Sequence, residues 1–519
     1  MTSRMQGMSK YPLVINVDFG PDRQLVYDSR VNLLFSMSNE QLAQLEAGGK
    51  DLHNQVLPML EHLNSRGVLL PGGRDSLFDA SPEHIERIID HNATNVLMRK
   101  YVLEVTQDCN FRCKYCSNTI ETTWRHHRRR DMSAQTAKKA VDYYFKIYTD
   151  FLKRVPEKYY EAFLKRNRPS LSFYGGEPTM NFDIVKDATA YMKSLPWEEY
   201  GIDKDDIIFT SNTNLSRLDS DMLEFLTSHS FILYASLDGP ASEHDKNRVD
   251  MAGGPTFARA YRNLMKIKEY DAKYFKERVT ILAVEAPNHD HEATHEFLDG
   301  LGCRISYLPM STYGCFIDDP VTKLKELEEH EDEIIENALR AYKENPEKEL
   351  SNYTKMAYHR LNIEGESESD GLLPTCPVAT DNLMVDVDGN LHICHKTDGS
   401  FVLGNVDDGL NRDALRKFYG DLARASDCEE CRNCWAVREC GQCAAVRLRG
   451  GSFVNPHEDE CRYIRKSALI DLRIFARLLL TEPRILDRLD EYVNDPDRYE
   501  GVIDLSTIKW EKYLPQSGN

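Results

Sequence analysis

Three cysteines, Cys109, Cys113 and Cys116, share one short stretch, with three and then two residues between them. Thiolates so placed can hold three irons of a [4Fe–4S] cube and leave the fourth iron without a protein ligand. That open corner suits a small chelator carrying an amine and a carboxylate. A structural zinc site would show paired cysteines and four ligands, and a closed cube would need a fourth cysteine close by, which the sequence lacks. Downstream, Cys376, Cys394, Cys428, Cys431, Cys434, Cys440, Cys443 and Cys461 supply the eight thiols that two fully thiolate-bound cubes require. CxxC pairs also suit zinc ribbons, so spacing alone leaves this second set as iron–sulfur or zinc. Cys303 and Cys315 fall outside both sets and read as buried free cysteines.

The elements that must position these thiols read as an alternation of strand and helix. Strand candidates are Tyr101–Thr106, Leu171–Tyr174, Asp206–Thr210, Phe231–Ser236, Val279–Val284 and Arg304–Leu308, with helices expected at 133–150, 183–194 and 256–269 among others. Regular βα repetition implies a parallel sheet, here an open, partial barrel of six units over residues 96–320. The stretch from Asn118 to Ser170 is long for one helix and implies an insertion. Before the barrel, residues 1–95 form a separate unit. Leu13, Ile15 and Val17 alternate as a strand, Leu25–Tyr27 reads as a second, and helices are expected near 38–48, 51–66 and 81–92 with a short strand at 68–70. Ser38 and Gln41 have capping-box spacing. The pattern predicts a winged-helix-like module. Residues 321–371 read as a charged helix (321–344) and a loop, 372–465 as a cysteine-rich region, and 466–519 as a helical tail opening with Ala468–Leu480.

The first cysteine spacing resembles the signature of the radical S-adenosylmethionine (SAM) superfamily, and further motifs match in order. Tyr174-Gly175-Gly176-Glu177-Pro178 is similar to that family's GGE motif. The resemblance implies that it meets the SAM amino group, with glycines for close backbone approach and a carboxylate for the ammonium. It also implies that Ser211, Asn212 and Asn214 lie near the SAM ribose and carboxylate. Ser236 and Arg248 would serve as further carboxylate partners, and Tyr115 would lie against adenine. The second cysteine region, with Gly389 in a Gly-x4-Cys spacing before Cys394, resembles the SPASM domain, although Cys440 and Cys443 are one residue closer than in that pattern. The likeness implies a distal auxiliary [4Fe–4S] cluster on Cys431, Cys434, Cys440 and Cys461. The nearer one would sit on Cys376, Cys394 and Cys443, with Cys428 as fourth ligand or with that corner open. In all, SAM and three [4Fe–4S] clusters are expected. Asp386 and His395 lie near Cys394, where relatives place a substrate-deprotonating group.

The N-terminal unit resembles the RiPP recognition element, which binds a leader peptide by strand addition. Together the resemblances imply a maturase of a ribosomally made precursor peptide, of sactipeptide or ranthipeptide type, installing thioether links and served by an electron donor such as flavodoxin or ferredoxin. Carbon–carbon cross-linking, or formylglycine formation in sulfatases, are the alternatives within the family. A peptide-binding adaptor with structural clusters is the alternative outside it. The chain has 519 residues, 41% hydrophobic and 29% charged, as in globular multidomain proteins. Its net charge of −19 argues against nucleic acid and anionic membrane as partners. No apolar run approaches membrane-spanning length and no secretion signal is legible, so a cytoplasmic location is expected. The basic run Arg125–Arg130 reads as a solvated insertion or as a rim that steers an acidic peptide.

Overall fold

The computed structural model describes residues 14–31, 33–47, 62, 65, 75–116, 126–286, 289–309, 311–312, 316–317, 320–346, 381–395, 397, 399–437, 440, 444–455, 457–482, 484–494 and 505. The expected helix at 51–66 and strand at 68–70 therefore lie outside the described residues, apart from single positions, as do Cys315, Cys376 and Cys443.

At the N-terminus β1 (Val14–Asp18), β2 (Arg23–Asp28) and β3 (Leu33–Ser38) form an antiparallel meander. Sequence reading missed β3 because its side chains are nearly all half-buried and show no alternation. The capping box at the following helix, Asn39–Ala47, is present. The Gln41 N–H donates to Ser38 Oγ (3.1 Å), and the Ser38 N–H donates to Gln41 Oε1 (2.8 Å).

The barrel strands are β4 (Lys100–Thr106), β5 (Ser170–Gly175), β6 (Ile208–Thr213), β7 (Ile232–Ser236), β8 (Val279–Glu285) and β9 (Arg304–Pro309). All pair in parallel in chain order. β6 starts later and runs further than expected, because Asp203 caps a short helical turn at Lys204–Asp206. Alternation sorts the two faces. Leu103, Val105, Leu171, Phe173, Phe209, Leu233 and Ile281 join the buried core under the helices, and Phe209 and Phe173 both stack on Phe231. The opposite, interior face of β5 to β7 is half-buried and polar: Ser172, Tyr174, Thr210, Asn212, Tyr234 and Ser236. The insertion is a helix, Ala134–Leu152, followed by a short one, Tyr160–Arg166.

After β9 come a small hairpin, β10 (Ser311–Thr312) with β11 (Phe316–Ile317), and two helices, Pro320–Glu329 and Glu331–Glu344, where one was expected. The sheet then continues past the barrel. β12 (Asn382–Val385) pairs in parallel with β4, and β13 (Asn390–His392), β14 (Gly404–Asn405) and β15 (Gly409–Leu410) add antiparallel edges, giving ten strands. A last hairpin joins β16 (Leu448–Arg449) to β17 (Ser452–Phe453). The C-terminal helix spans Glu458–Thr481, ten residues earlier than expected, because a His457–Glu460 capping box starts it before its apolar stretch. Among the described residues no helix is long and apolar enough to cross a membrane.

The two chain ends share a core. Ile15, Val17, Leu25 and Tyr27 pack with Ile335, Tyr342, Leu469, Phe475 and Leu478. Phe475→Ala is therefore expected to cost about 3–5 kcal/mol. It should also raise hydrogen exchange of β1 and β2, far away in sequence, as read by mass spectrometry. Unchanged exchange there would argue against a shared core.

Candidate active site

The loop from Gln107 to Cys116 leaves the end of β4. Cys109 and Cys113 are buried, Cys116 is half-buried, and all three are free thiols packed around the buried Phe111. Three segments clamp this loop. From β5, the Gly176 N–H donates to the Thr106 carbonyl and the Glu177 N–H to the Asp108 carbonyl, both at 2.8 Å. A Cβ on Gly175 would lie 2.1 Å from the Thr106 oxygen, and one on Gly176 would lie 2.0 Å from that of Asp108. Gly175 also has φ +147°, which disfavours a side chain. From β6, Asn214 Nδ2 reaches Asn110 Oδ1 (3.1 Å) and Cys109 Sγ (3.6 Å), and Ser216 pairs with Asn110. After β7, Arg112 and Lys114 donate backbone N–H groups to the carbonyls of Val249 (2.7 Å) and Asn247 (2.9 Å).

Several residues expected around SAM have other partners here. Glu177 is 1% exposed, and its carboxylate accepts from the Asn214 N–H (2.6 Å), Thr213 Oγ1 (2.8 Å), and the N–H and hydroxyl of Thr179. Burial pushes this carboxyl up against the pull of those donors. Its side chain thus ties β5 to β6, and the motif's glycines serve contact between backbones. Pro178 opens the short helical turn behind it. Ser211 alternates with Phe209 toward the helices, so Asn212 is the neighbour that faces the interior, as Ser236 does on β7. Arg248 is buried, with Nε 2.9 Å from Asp238 Oδ2, its guanidinium over the Tyr115 ring and hydrogen-bonded to Cys113. Tyr115 donates its hydroxyl to the same Asp238 oxygen (2.5 Å), and the Val284 N–H fills the other. Sequence reading missed Asp238 as the hub, although it lies only two residues after Ser236.

Burial raises the Cys109 thiol, reinforced by the Glu177 carboxylate, and pushes Cys113 up to about 12, offset in part by Arg248. Metal binding must therefore displace protons from neutral thiols. His127 Nε2 lies 3.9 Å from Cys116 Sγ, and Arg130 pairs with Asp388, so the basic run partly folds back onto the protein.

Downstream, the Cys431 thiol is hydrogen-bonded to that of Cys428 and faces Cys440 and Cys461, while Cys461 also faces Cys434. Cys428 thus lies beside Cys431. Among the described residues no three His, Cys, Asp or Glu side chains close on a single-ion site. Asp386 accepts from Asp388 N, Asn390 N, Asn390 Nδ2 and His392 Nε2, all at 2.9–3.0 Å, so its carboxylate is spent on its own turn. The His395 ring lies 4.7 Å from that of Tyr174, which immediately precedes Gly175 on the interior face.

The donor set fits an iron–sulfur cube on Cys109, Cys113 and Cys116: three free, adjacent thiols on a clamped loop. Gly176→Ala is expected to cost about four irons per chain, with far-UV circular dichroism unchanged. Retention of the iron would show that the backbone contact is dispensable. A second expectation concerns His244, buried with Nδ1 accepting from the Asp238 N–H and Nε2 on Thr256. Burial, then Arg248, lowers its pKa to about 4. A depressed folded pKa gives stability that is present above the unfolded value of about 6.5 and lost as pH falls toward 4. Thermal melts should show His244→Gln flattening that acid limb, worth on the order of 3 kcal/mol.

A family model described as the Radical SAM superfamily matches residues 103–299. The chain is 21% identical over 453 residues, 84% of its own length and 85% of the relative's, to a radical SAM cyclopropyl synthase, TigE, of Paramaledivibacter caminithermalis. Over 106 residues, 20% of this chain and 27% of the relative, it is 29% identical to a cysteine-type anaerobic sulfatase-maturating enzyme of Clostridium perfringens. Among solved structures, anSMEcpe with bound AdoMet superposes with a TM-score of 0.52 at 18% identity, covering 76% of this chain and 97% of that one. The same enzyme with AdoMet and the Cp18Cys peptide gives 0.50 at 18%, covering 76% and 99%. The parallel partial barrel, its clamped Cys109–Cys116 loop and the family match together identify residues 103–299 as a radical SAM domain.

Proposed function

We propose that this enzyme matures a precursor peptide by abstracting hydrogen from an unactivated carbon and closing a new bond there, with a thioether to a peptide cysteine as the leading product. The observation that carries this reading is the join between the barrel and the second thiol region. β12 extends the barrel sheet, and the chain after β13 brings His395, next to Cys394, against Tyr174 on the interior face. A substrate held over the Gly175–Glu177 turn meets both regions at once. The solved neighbour with a bound peptide supports a peptide as the substrate.

When bound, the cluster supplies the electron that splits the S–C bond of SAM and yields a 5′-deoxyadenosyl radical. The chain's own residues do the rest. The Gly175–Glu177 turn, Asn214 and Asn247–Val249 fix the loop. Asn212 and Ser236 offer interior polar groups beside it, with Ser211, Asn214 and Arg248 supporting from behind. We assign to His395, which lies against Tyr174, the role of taking a proton from the substrate. The half-buried polar interior gives a peptide backbone hydrogen-bonding partners. Per link, one SAM is consumed, the carbon gives up a hydrogen atom, the thiol gives up a proton, and one electron is returned. That electron needs an acceptor, which we assign to auxiliary clusters on the downstream cysteines, with a flavodoxin- or ferredoxin-type donor starting the cycle. The open β1 to β3 meander is the proposed leader-peptide dock.

Carbon–carbon closure is the second reading, favoured by the relative named as a cyclopropyl synthase that spans most of the chain. Sulfatase maturation is a third, on the shorter match. Anaerobic reconstitution should give about twelve irons per chain and, with SAM and dithionite, 5′-deoxyadenosine. With the short peptide encoded beside it, each link should remove two hydrogens. Loss of iodoacetamide-reactive thiols marks a thioether, and their retention marks a carbon–carbon bond. An absence of 5′-deoxyadenosine from iron-loaded protein would overturn the catalytic reading.

A further inference from the structure

Among the described residues the buried Arg248 is matched to the Asp238 carboxylate, and the half-buried Lys466, Arg473 and Arg99 likewise pair with Glu331 and Asp381. Arg447 breaks the pattern. It is 4% exposed, yet its donors go to neutral acceptors: Nη1 to Ser426 Oγ (2.5 Å), Nη2 to the Ala425 carbonyl (2.8 Å) and Asn455 Oδ1 (3.3 Å), Nε to the Val454 carbonyl (3.0 Å). Among the described residues no carboxylate pairs with it. A buried guanidinium without an anion is strongly unfavourable.

The acceptors locate what the charge serves. Ala425 and Ser426 end the helix that leads straight into Cys428, and Val454 and Asn455 lead into the helix bearing Cys461. Arg447 itself closes the short helix after Cys443. One side chain therefore laces together the segments that deliver the downstream thiols. The cysteines facing it are Cys431, Cys440, Cys428 and Cys461.

We propose that Arg447 is the counter-charge and positioning residue of the downstream thiol centre, built to hold an anionic iron–sulfur cluster there and to favour its one-electron reduction. The inference rests on the reading of this region as an auxiliary-cluster domain. Four thiolates around a 2+ cubane core carry a net charge of −2, and one electron from an external reductant brings the core to 1+ and the net charge to −3. A fixed neighbouring cation stabilises the second state more than the first, because the charge it meets is larger. Zinc would give the same −2 but accept no electron.

The test uses the full-length chain with C109A, C113A and C116A together, so that only downstream clusters report. After anaerobic reconstitution, iron is counted and an EPR-monitored redox titration is run on three forms: Arg447, Arg447→Lys and Arg447→Gln. Lysine keeps the charge and loses the planar fork, whereas glutamine keeps an amide donor and loses the charge. The expected result is a midpoint potential near the parent's for lysine and a more negative one for glutamine, or iron retained by lysine and lost by glutamine. Equal potentials in all three, or equal iron loss in both variants, would overturn the counter-charge and leave only a structural latch. A parent that binds zinc or no iron downstream would instead overturn the auxiliary-cluster reading itself.

Discussion

The packing of Gly176 against Asp108 leaves no room for a side chain, and most of the site depends on that fact. Two backbone hydrogen bonds cross the contact, from Gly176 to Thr106 and from Glu177 to Asp108. They fix the height at which the loop with Cys109 and Cys113 leaves the sheet. The same turn drives the Glu177 side chain inward, where a carboxylate survives only if its oxygens are satisfied. Thr179, Thr213 and Asn214 provide that. Asn214, held there by its backbone, then turns its amide to Cys109 and Asn110. One steric requirement thus aligns three strand ends and one thiol.

Charge is handled differently at the two thiol sets. Near Cys113, Arg248 is already neutralised by Asp238, whose oxygens also receive Tyr115 and Val284. That network is formed by the protein's own groups, so the loop's shape is set within the fold. Near Cys431 the guanidinium of Arg447 has polar partners and, among the described residues, no carboxylate. The first site is preorganised by the protein alone, and the second has its electrostatics completed by its occupant.

The catalytic half was legible because its signals are local. Cys109–Cys116 is one short loop, and β5, β6 and β7 alternate between a core face and a half-buried face. Other features needed three dimensions. β12 is four residues long and pairs with a strand some 280 positions earlier, between Asn382 and Lys100, so no periodicity marks it. The helix at Glu458 begins in polar residues and is capped by His457, an uncommon cap. The tie made by Glu177 was not legible, because its residue type suits an ammonium ligand and a buried tie equally well and its hydrogen bonds appear only in the fold. Ser211 was grouped with its neighbours because a motif read as a string ignores that successive strand residues point to opposite faces.

The ten-stranded sheet has a further consequence for chemistry. In a chain of linked domains, the separation between two redox sites would vary with the linker. Here β12 is hydrogen-bonded in register to β4, the strand that feeds the Cys109 loop, and β13, two residues before Cys394, is bonded to β12. The path from one thiol region to the other therefore runs through ladder hydrogen bonds, while 346–381 in the chain is bypassed. The chain after β13 then returns to the interior and sets His395 against Tyr174. A group bound above Gly175 is accordingly bounded on one side by the barrel's own strands and on the other by the cysteine-rich region. Its reach to either is set by sheet geometry, which a single sequence substitution outside the strands cannot easily change.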